Sequence, residues 1–169
     1  MTELVVIAHN IRSTHNVGSI FRTCEGFGVA RLILSGYTPY PSITNDIRLP
    51  HIREKLTSQI HKTALGAEQM VPFEYQPTLD IAALQAAGFR IVGLEQDPRA
   101  SVLPHYTVPS KVALLLGEEV SGIDGNLLEM CDDLIEIPMK GRKESFNVSV
   151  AAGIALYALS IQQALGRTL

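Results

Sequence analysis

Short apolar runs of strand length alternate along the chain with segments whose apolar residues recur at helical spacing. The runs predict six strands, at residues 4–8, 31–35, 71–75, 90–94, 112–116 and 134–137. Strands that alternate with helices are typical of a mainly parallel sheet covered by helices on both faces. The hydrophobic pattern therefore predicts an α/β fold.

Two helices are indicated by capping and terminating residues. Asn16 is a candidate N-cap for the first, which runs through Arg22 toward glycines that end it. Either Thr78 or Asp80 begins another helix, which stops at Gly88.

Two further helices are indicated by composition and spacing. Residues 51–65 are polar and partly basic, whereas residues 145–165 place apolar side chains on one face that packs inward. The loops at 37–50 and 96–109 are long and contain proline, so they are candidates for substrate contact. The chain has no internal repeat and no low-complexity linker, so we expect a single domain over residues 1–169.

The net charge of −3 conceals an uneven distribution. The charge is +3 over residues 1–62, −9 over 63–139 and +3 over 140–169. Because local positive charge attracts phosphates, the basic ends are consistent with nucleic-acid binding. A chance asymmetry of the surface is the alternative. The candidate RNA-binding residues are Arg12, His15, Arg53, Lys55, Lys140, Arg142 and Lys143.

The cysteines and the first apolar run bear on the cellular compartment of the protein and on whether it binds metal or membrane. Cys24 and Cys131 form no C-x-x-C pair, which argues against a disulfide framework and a zinc site and favours buried thiols. Residues 4–8 are too few for a signal-peptide core or a membrane span. We therefore expect a cytoplasmic protein that binds neither membrane nor metal.

Three polar clusters follow predicted strands or open predicted helices. They comprise residues 16–23, 116–123 and 137–148. Taken alone, Asn16 and Ser145 could be helix caps and Arg22 a surface charge. Glu118 and Glu119 could bind a metal, but no third ligand is evident. Since ligands bind outside the carboxyl ends of strands in open α/β sheets, the clusters together predict one composite site.

The order and spacing of these residues resemble the SpoU (TrmH-like) family of AdoMet-dependent RNA 2'-O-ribose methyltransferases. The family pattern is Asn-x-Gly before Arg-Thr, then Gly-x-Glu-x-x-Gly, and last Ile-Pro-Met-x-Gly before Ser-x-Asn-Val. The chain matches it at Asn16, Gly18, Arg22, Thr23, Gly117, Glu119, Gly122, Ile137, Pro138, Met139, Gly141, Ser145, Asn147 and Val148. It departs at Glu118, Val120 and Phe146, where the family commonly has Asn, Gly and Leu.

The resemblance implies a SPOUT fold, whose carboxyl-terminal segment is threaded into a deep trefoil knot that forms the AdoMet site. It also implies a homodimer with the knotted helix and part of the first helix at the interface. Because the chain begins with a strand and ends with the expected knot helix, we expect no appended RNA-binding domain. The implied cofactor-binding residues are Gly93, Leu94, Leu116, Gly117, Ile137, Met139, Ser145, Phe146, Asn147 and Val148.

The resemblance also implies catalytic roles. Arg22 is the residue that the family assigns to activating the 2'-hydroxyl. Because a guanidinium is too weak a base, we expect it to grip the adjacent phosphate and polarise the hydroxyl, while a phosphate oxygen or water takes the proton. Asn16 and Ser145 would hold ribose or phosphate, and Glu119 would orient Arg22 or Asn16. Asn147 would support the cofactor turn.

The sequence thus predicts an AdoMet-dependent methyltransferase that acts on a ribose 2'-hydroxyl of tRNA or rRNA without a metal. One alternative is a catalytically inactive homologue that binds AdoMet or RNA. Another is a flavodoxin-like small-molecule module, which leaves the basic ends of the chain unexplained.

Overall fold

The computed structural model describes residues 2–165, and these form seven β-strands and five α-helices. The strands are Glu3–His9 (β1), Arg31–Ser35 (β2), Phe73–Gln76 (β3), Arg90–Leu94 (β4), Ser101–Val102 (β5), Lys111–Leu116 (β6) and Asp133–Glu136 (β7). The helices are Thr14–Gly26 (α1), Pro50–Ala64 (α2), Ile81–Ala86 (α3), Gly125–Met130 (α4) and Val148–Leu165 (α5). Short 3-10 turns lie at Ala67–Gln69 and Leu103–His105.

The strands of this described region lie in one sheet of order β3-β2-β1-β6-β4-β7-β5, and every pairing is parallel. The carboxyl ends of all the strands therefore meet at one edge of the sheet. The segments that follow β1, β6 and β7 carry the three polar clusters, so the topology collects them at that edge.

Alternate residues of the inner strand β1 enter two separate cores. Val6 and Ala8 pack in the core beneath α1, α2 and α5, whereas Val5 and Ile7 pack beneath α3 and α4. All four side chains are buried, and burial of a valine or isoleucine side chain contributes about 1.5–3 kcal/mol. The prediction of a mainly parallel sheet with helices on both faces is confirmed.

The first helix begins earlier than predicted. Ser13 is its N-cap, because the Ser13 hydroxyl accepts the backbone N–H of Asn16 at 3.3 Å. The prediction of Asn16 as the cap is wrong, and its side-chain amide is directed to other partners.

The last helix begins later than predicted. Asn147 caps it, since its side-chain oxygen accepts the N–H of Ser149 at 2.9 Å and its carbonyl accepts the N–H of Ala151 at 2.8 Å. The helix starts at Val148, so Ser145 lies in the irregular segment before it.

Several short elements are absent from the sequence prediction. The loop at 96–109 contains β5 and a 3-10 turn, and α4 follows Asp124, which caps it. Asp80, one of two candidates, is the cap of α3. Cys24 is buried as expected, whereas Cys131 is half-buried.

The trefoil knot stays a prediction from the resemblance, and the single-domain expectation includes residues 1 and 166–169, which lie outside the described residues. No helix within the described part of the chain has the length and apolar content needed to cross a membrane.

Candidate active site

A cleft of about 630 Å³ lies at the carboxyl ends of β4, β6 and β7, against the start of α5. It is lined by eight of the ten residues predicted to bind the cofactor: Leu94, Leu116, Gly117, Ile137, Ser145, Phe146, Asn147 and Val148. Gly93 and Met139 do not line it. A Cβ at Gly93 would lie 2.8 Å from Leu134 Cδ2, so this glycine permits close packing behind the cleft.

The described lining of this cleft, which we call the acidic cleft, carries carboxylates and no lysine or arginine. The carboxylates belong to Glu95, Glu118, Glu119, Glu136 and Glu144. Low-dielectric walls of one charge sign concentrate the field inside a cleft. The acidic cleft therefore favours a cationic ligand and disfavours a phosphate.

The second motif forms a tight loop on the wall of the acidic cleft. The backbone groups of Glu118 and Gly122 exchange two hydrogen bonds, each 2.9 Å long. A Cβ at Gly117 would overlap the backbone of Gly122 and Ile123, and Gly122 itself has a φ of +71°. Both glycines of the Gly-x-Glu-x-x-Gly pattern are therefore required by the shape of this loop.

Glu119 fixes the segment that enters α1. Its carboxylate accepts the backbone N–H groups of Arg12 and Ser13, both at 3.1 Å, and the side-chain Nδ2 of Asn16 at 3.0 Å. Burial opposes ionisation of Glu119, but these hydrogen bonds outweigh it and lower its pKa. Glu119 is therefore an anion that holds the start of α1 against the acidic cleft.

The hydrogen-bond network continues from Asn16 to the start of α5. The Asn16 side-chain oxygen accepts a hydrogen bond from Asn147 Nδ2 at 3.1 Å. A continuous chain of hydrogen bonds thus joins one residue from each of the three sequence clusters: Glu119, Asn16 and Asn147. Ser145 lines the same cleft nearby. The structure brings these four predicted catalytic residues together.

Glu118, one of the departures from the family pattern, pairs with the side chain of Arg12. The hydroxyl and backbone N–H of Ser121 also donate to it, and with Arg12 they lower the pKa of Glu118 to about 2. Sequence reasoning missed this pair because the two residues are 106 positions apart, and no local pattern connects them.

Arg22 lies away from the acidic cleft. It is exposed on α1 beside Thr23 and Lys62, where it lines a separate depression. Arg22 follows Asn16 by six positions on the same helix. It therefore faces another side of the helix and lies about 9 Å further along the axis. Within residues 2–165 no hydrogen bond or ion pair reaches Arg22, so of the two residues that Glu119 was expected to orient, Arg22 or Asn16, it contacts Asn16.

The predicted RNA-binding residues are dispersed. Arg12 stands at the wall of the acidic cleft, and the exposed residues Lys140, Arg142 and Lys143 lie between β7 and α5. His15 and Lys55 are exposed on α1 and α2. Arg53 is half-buried, with Nη1 3.5 Å from the Asp46 carbonyl oxygen. Their contact with RNA stays a prediction.

Residues 3–157 match the model of the SpoU rRNA Methylase family. The chain belongs to this family. It is 33% identical over 170 residues to mouse tRNA (guanosine(18)-2'-O)-methyltransferase TARBP1, with 98% of this chain and 10% of that protein covered. It is 32% identical over 162 residues to the 23S rRNA (guanosine-2'-O-)-methyltransferase RlmB of Coxiella burnetii, covering 95% of this chain and 59% of that protein. The chain therefore spans only part of these relatives.

A solved member of the SpoU family has the same fold. AviRb from Streptomyces viridochromogenes, in complex with the cofactor AdoMet, superposes with a TM-score of 0.77 at 25% identity. The superposition covers 97% of this chain and 62% of AviRb. The prediction of a SpoU-type chain is confirmed.

Proposed function

We propose that this SpoU chain transfers a methyl group from AdoMet to the 2'-hydroxyl of a guanosine in tRNA or rRNA. The observation that carries the proposal is the chain of hydrogen bonds from Glu119 through Asn16 to Asn147, located at an acidic cleft. The choice of guanosine is supported by the names of the relatives, which act on guanosine in tRNA and in rRNA. The proposed RNA substrate makes a cytoplasmic location part of the proposal.

The acidic cleft fits AdoMet by size and charge. Its volume of about 630 Å³ is in the range of small-molecule sites, and its carboxylates suit the sulfonium and amino groups. AdoMet would supply an electrophilic methyl group by in-line displacement. The ribose oxygen would form the new C–O bond as the methyl–sulfur bond breaks to leave the neutral thioether, and a phosphate oxygen or water would take the hydroxyl proton. The glycine-shaped loop after β6 and the capped start of α5 give the cleft fixed walls. Such alignment of reactants can contribute up to about 7–11 kcal/mol.

The network positions polar groups beside the acceptor ribose. Glu119 accepts one of the two Nδ2 hydrogens of Asn16, and the side-chain oxygen of Asn16 accepts a hydrogen bond from Asn147. The second Nδ2 hydrogen of Asn16 and the hydroxyl of Ser145 are the groups that we assign to the ribose or its phosphate. A carboxylate acceptor strengthens the first of these bonds, so Asn16 is held in one orientation.

We further propose a homodimer in which the partner subunit supplies Arg22. Among the described residues, no arginine lines the acidic cleft, and the Arg22 depression is bordered by Gly153 of α5. On the outer face of α5, Val150 is 50% exposed and Tyr157 is 52% exposed. A second copy that covers this apolar stripe would also meet Arg22. The guanidinium would then grip the phosphate next to the acceptor ribose and polarise its hydroxyl.

The proposed function is tested with AdoMet carrying a labelled methyl group and total tRNA and rRNA lacking this modification. The expected product is labelled 2'-O-methylguanosine, identified by mass spectrometry after digestion to nucleosides. The reaction should proceed in excess chelator with RNA folded by monovalent salt, since methyl transfer requires no Lewis acid. Binding of AdoMet without methylation of either RNA would overturn the proposal and favour the inactive homologue.

A further inference from the structure

A second cleft, of about 530 Å³, lies at the carboxyl ends of β1, β2 and β3. We call it the tyrosine cleft. It is formed by the segment that enters α1, by the loop between β2 and α2, and by α2 itself. The residues that bear on its chemistry are Arg12, Ser13, Tyr37, Tyr40, Arg48 and Gln59.

The tyrosine cleft is held in shape by the protein itself. The buried hydroxyl of Thr38 donates to the Ala8 carbonyl at 2.9 Å and accepts the Ile11 N–H at 3.0 Å. These two bonds join the loop after β2 to the end of β1 and the segment that follows it. The backbone N–H of Tyr37 donates to Asn10 Oδ1 at 3.2 Å. The Tyr37 ring is thus presented on an anchored backbone, and it is 56% exposed.

The far side of the tyrosine cleft is stiffened by a stack. The rings of Tyr40 and Tyr75 are 4.0 Å apart and nearly parallel, and the Arg48 guanidinium lies 3.6 Å from the centroid of the Tyr40 ring. Arg48 also donates to Asp46 and to two backbone carbonyls, so its charge is paired within the loop. The faces of the stacked rings are occupied by protein groups, whereas the exposed Tyr37 ring can contact a ligand.

The two clefts share one wall. Arg12 and Ser13 line the tyrosine cleft, and Glu118 and Glu119, which bind them, line the acidic cleft. The Arg12 side chain is 61% exposed, and only its Nη2 is engaged by Glu118 in the described structure. A ligand in the tyrosine cleft therefore lies immediately beside the cofactor cleft.

The two clefts differ in charge. The described lining of the acidic cleft has five glutamates and no arginine or lysine, whereas that of the tyrosine cleft has two arginines and no carboxylate. The charge of the acidic cleft disfavours the phosphates of an RNA strand there, whereas the 61% exposed Arg12 side chain of the tyrosine cleft can contact one. Exposed aromatic rings beside arginine are the surfaces on which unstacked RNA bases are bound.

We infer that the tyrosine cleft binds an unstacked nucleobase of the substrate RNA, next to the acceptor ribose. The Tyr37 ring stacks on the base, Gln59 offers an amide to the base edge, and Arg12 contacts the phosphate. This inference rests on the proposed function, since it places the RNA relative to the AdoMet cleft. Tyr37 is its deciding residue, because its ring is the exposed aromatic surface of this cleft.

The test compares the full chain with Tyr37→Ala, Tyr37→Phe and Tyr37→Trp for binding of a guanosine-containing single-stranded oligoribonucleotide, measured by fluorescence anisotropy. Loss of a stacked base weakens RNA binding by roughly 5- to 100-fold in Tyr37→Ala, whereas Phe and Trp retain the affinity. AdoMet affinity, measured by calorimetry, should be unchanged in all three. Met70→Ala is the control, because Met70 is 69% exposed and precedes β3 at the opposite edge of the sheet.

Photo-cross-linking locates the base directly. An oligoribonucleotide containing 6-thioguanosine should cross-link to the peptide that contains Tyr37. Equal RNA affinity of Tyr37→Ala and wild type, or cross-links confined to other segments, would overturn the inference even if the wild-type protein methylates RNA. If the wild type binds the oligonucleotide at Tyr37 but methylates no RNA, the proposed function fails and the base site stands.

Discussion

Hydrogen bonding, rather than residue type alone, decides what individual polar residues do in this chain. Glu118 and Glu119 are adjacent, and strand alternation predicts that they face opposite ways. Both instead turn to the segment before α1, Glu118 to the Arg12 side chain and Glu119 to backbone N–H groups. Asn16, whose sequence position suggested a cap, is released from that role by Ser13 and joins Glu119 to Asn147.

The pairing of Glu118 makes stability depend on pH. Its pKa of about 2 in the folded protein lies below the usual value of about 4.3, so folding favours the ionised form. The stabilisation is complete above about pH 4.3 and is lost as the pH falls toward the folded pKa. We expect Glu118→Gln to be less stable than wild type at pH 7 in urea unfolding, with the difference shrinking below pH 4.3.

The control for this prediction is Glu144→Gln, in the same cleft, because no hydrogen bond to Glu144 is described. It should show no such pH-dependent difference from the wild type. A Glu118→Gln protein that differs from wild type by the same free energy at pH 7 and at pH 3.5 would contradict the assignment.

Arg22 provides a second prediction for a single residue. Arg22→Ala should lower the methylation rate by at least about 10²-fold and leave AdoMet affinity unchanged, because Arg22 is remote from the acidic cleft of its own chain. Arg22→Lys should restore little, since an ammonium cannot reproduce the planar fork. Single-turnover methylation and calorimetry on the same variants check both statements. If Arg22→Ala methylated at the wild-type rate, Arg22 would have no catalytic role and would be an ordinary surface charge.

The helices and strands differ in how far sequence could predict them. The long strands were predictable because burial on both faces of a parallel sheet produces continuous apolar runs, as in β6. The two residues of β5 are too few for any pattern, and α4 has no buried residue to produce a periodicity. The motifs located the acidic cleft because its residues follow strand ends. The Arg12–Glu118 pair and the tyrosine cleft arise only when distant loops meet.

The loop after β6 depends on Gly117 for its close backbone approach. In Gly117→Ala, the new Cβ would overlap the backbone at Gly122 and Ile123, which cannot move aside as a flexible side chain could. We expect the loop to be displaced and AdoMet affinity to fall by about 10-fold or more, together with a loss of about 1–3 kcal/mol in the free energy of unfolding. Calorimetry and urea unfolding measure these two quantities.

Gly125→Ala is a matched control for this prediction. Gly125 begins α4 a few residues further on, and nothing lies within 4 Å of a Cβ built there. This variant should bind AdoMet like the wild type and be at least as stable, since alanine is the better helix former. Equal AdoMet affinity of Gly117→Ala and Gly125→Ala would show that the loop tolerates the change and that the glycine has another role.

Charge is divided over the whole molecule in a way that the net value hides. Four of the glutamates in the acidic segment 63–139 line the acidic cleft, so part of the −9 charge of that segment serves a cationic ligand. The basic residue Arg12 stands on the wall shared with the tyrosine cleft, where RNA is proposed to bind. The sheet edge thus places the proposed site for a cation beside the proposed site for a polyanion.

The separation of Arg22 from the acidic cleft makes the proposed dimer testable by mixing two defective variants. If each site combines the cleft of one subunit with Arg22 of its partner, a dimer of Arg22→Ala with Glu119→Gln has one intact site and one doubly altered site. Each variant alone has none. Subunit exchange gives mixed dimers in half of the population, so activity should recover to about a quarter of wild type. Native mass spectrometry verifies the exchange while single-turnover methylation measures the rate, and exchange without recovery would exclude a site shared between subunits.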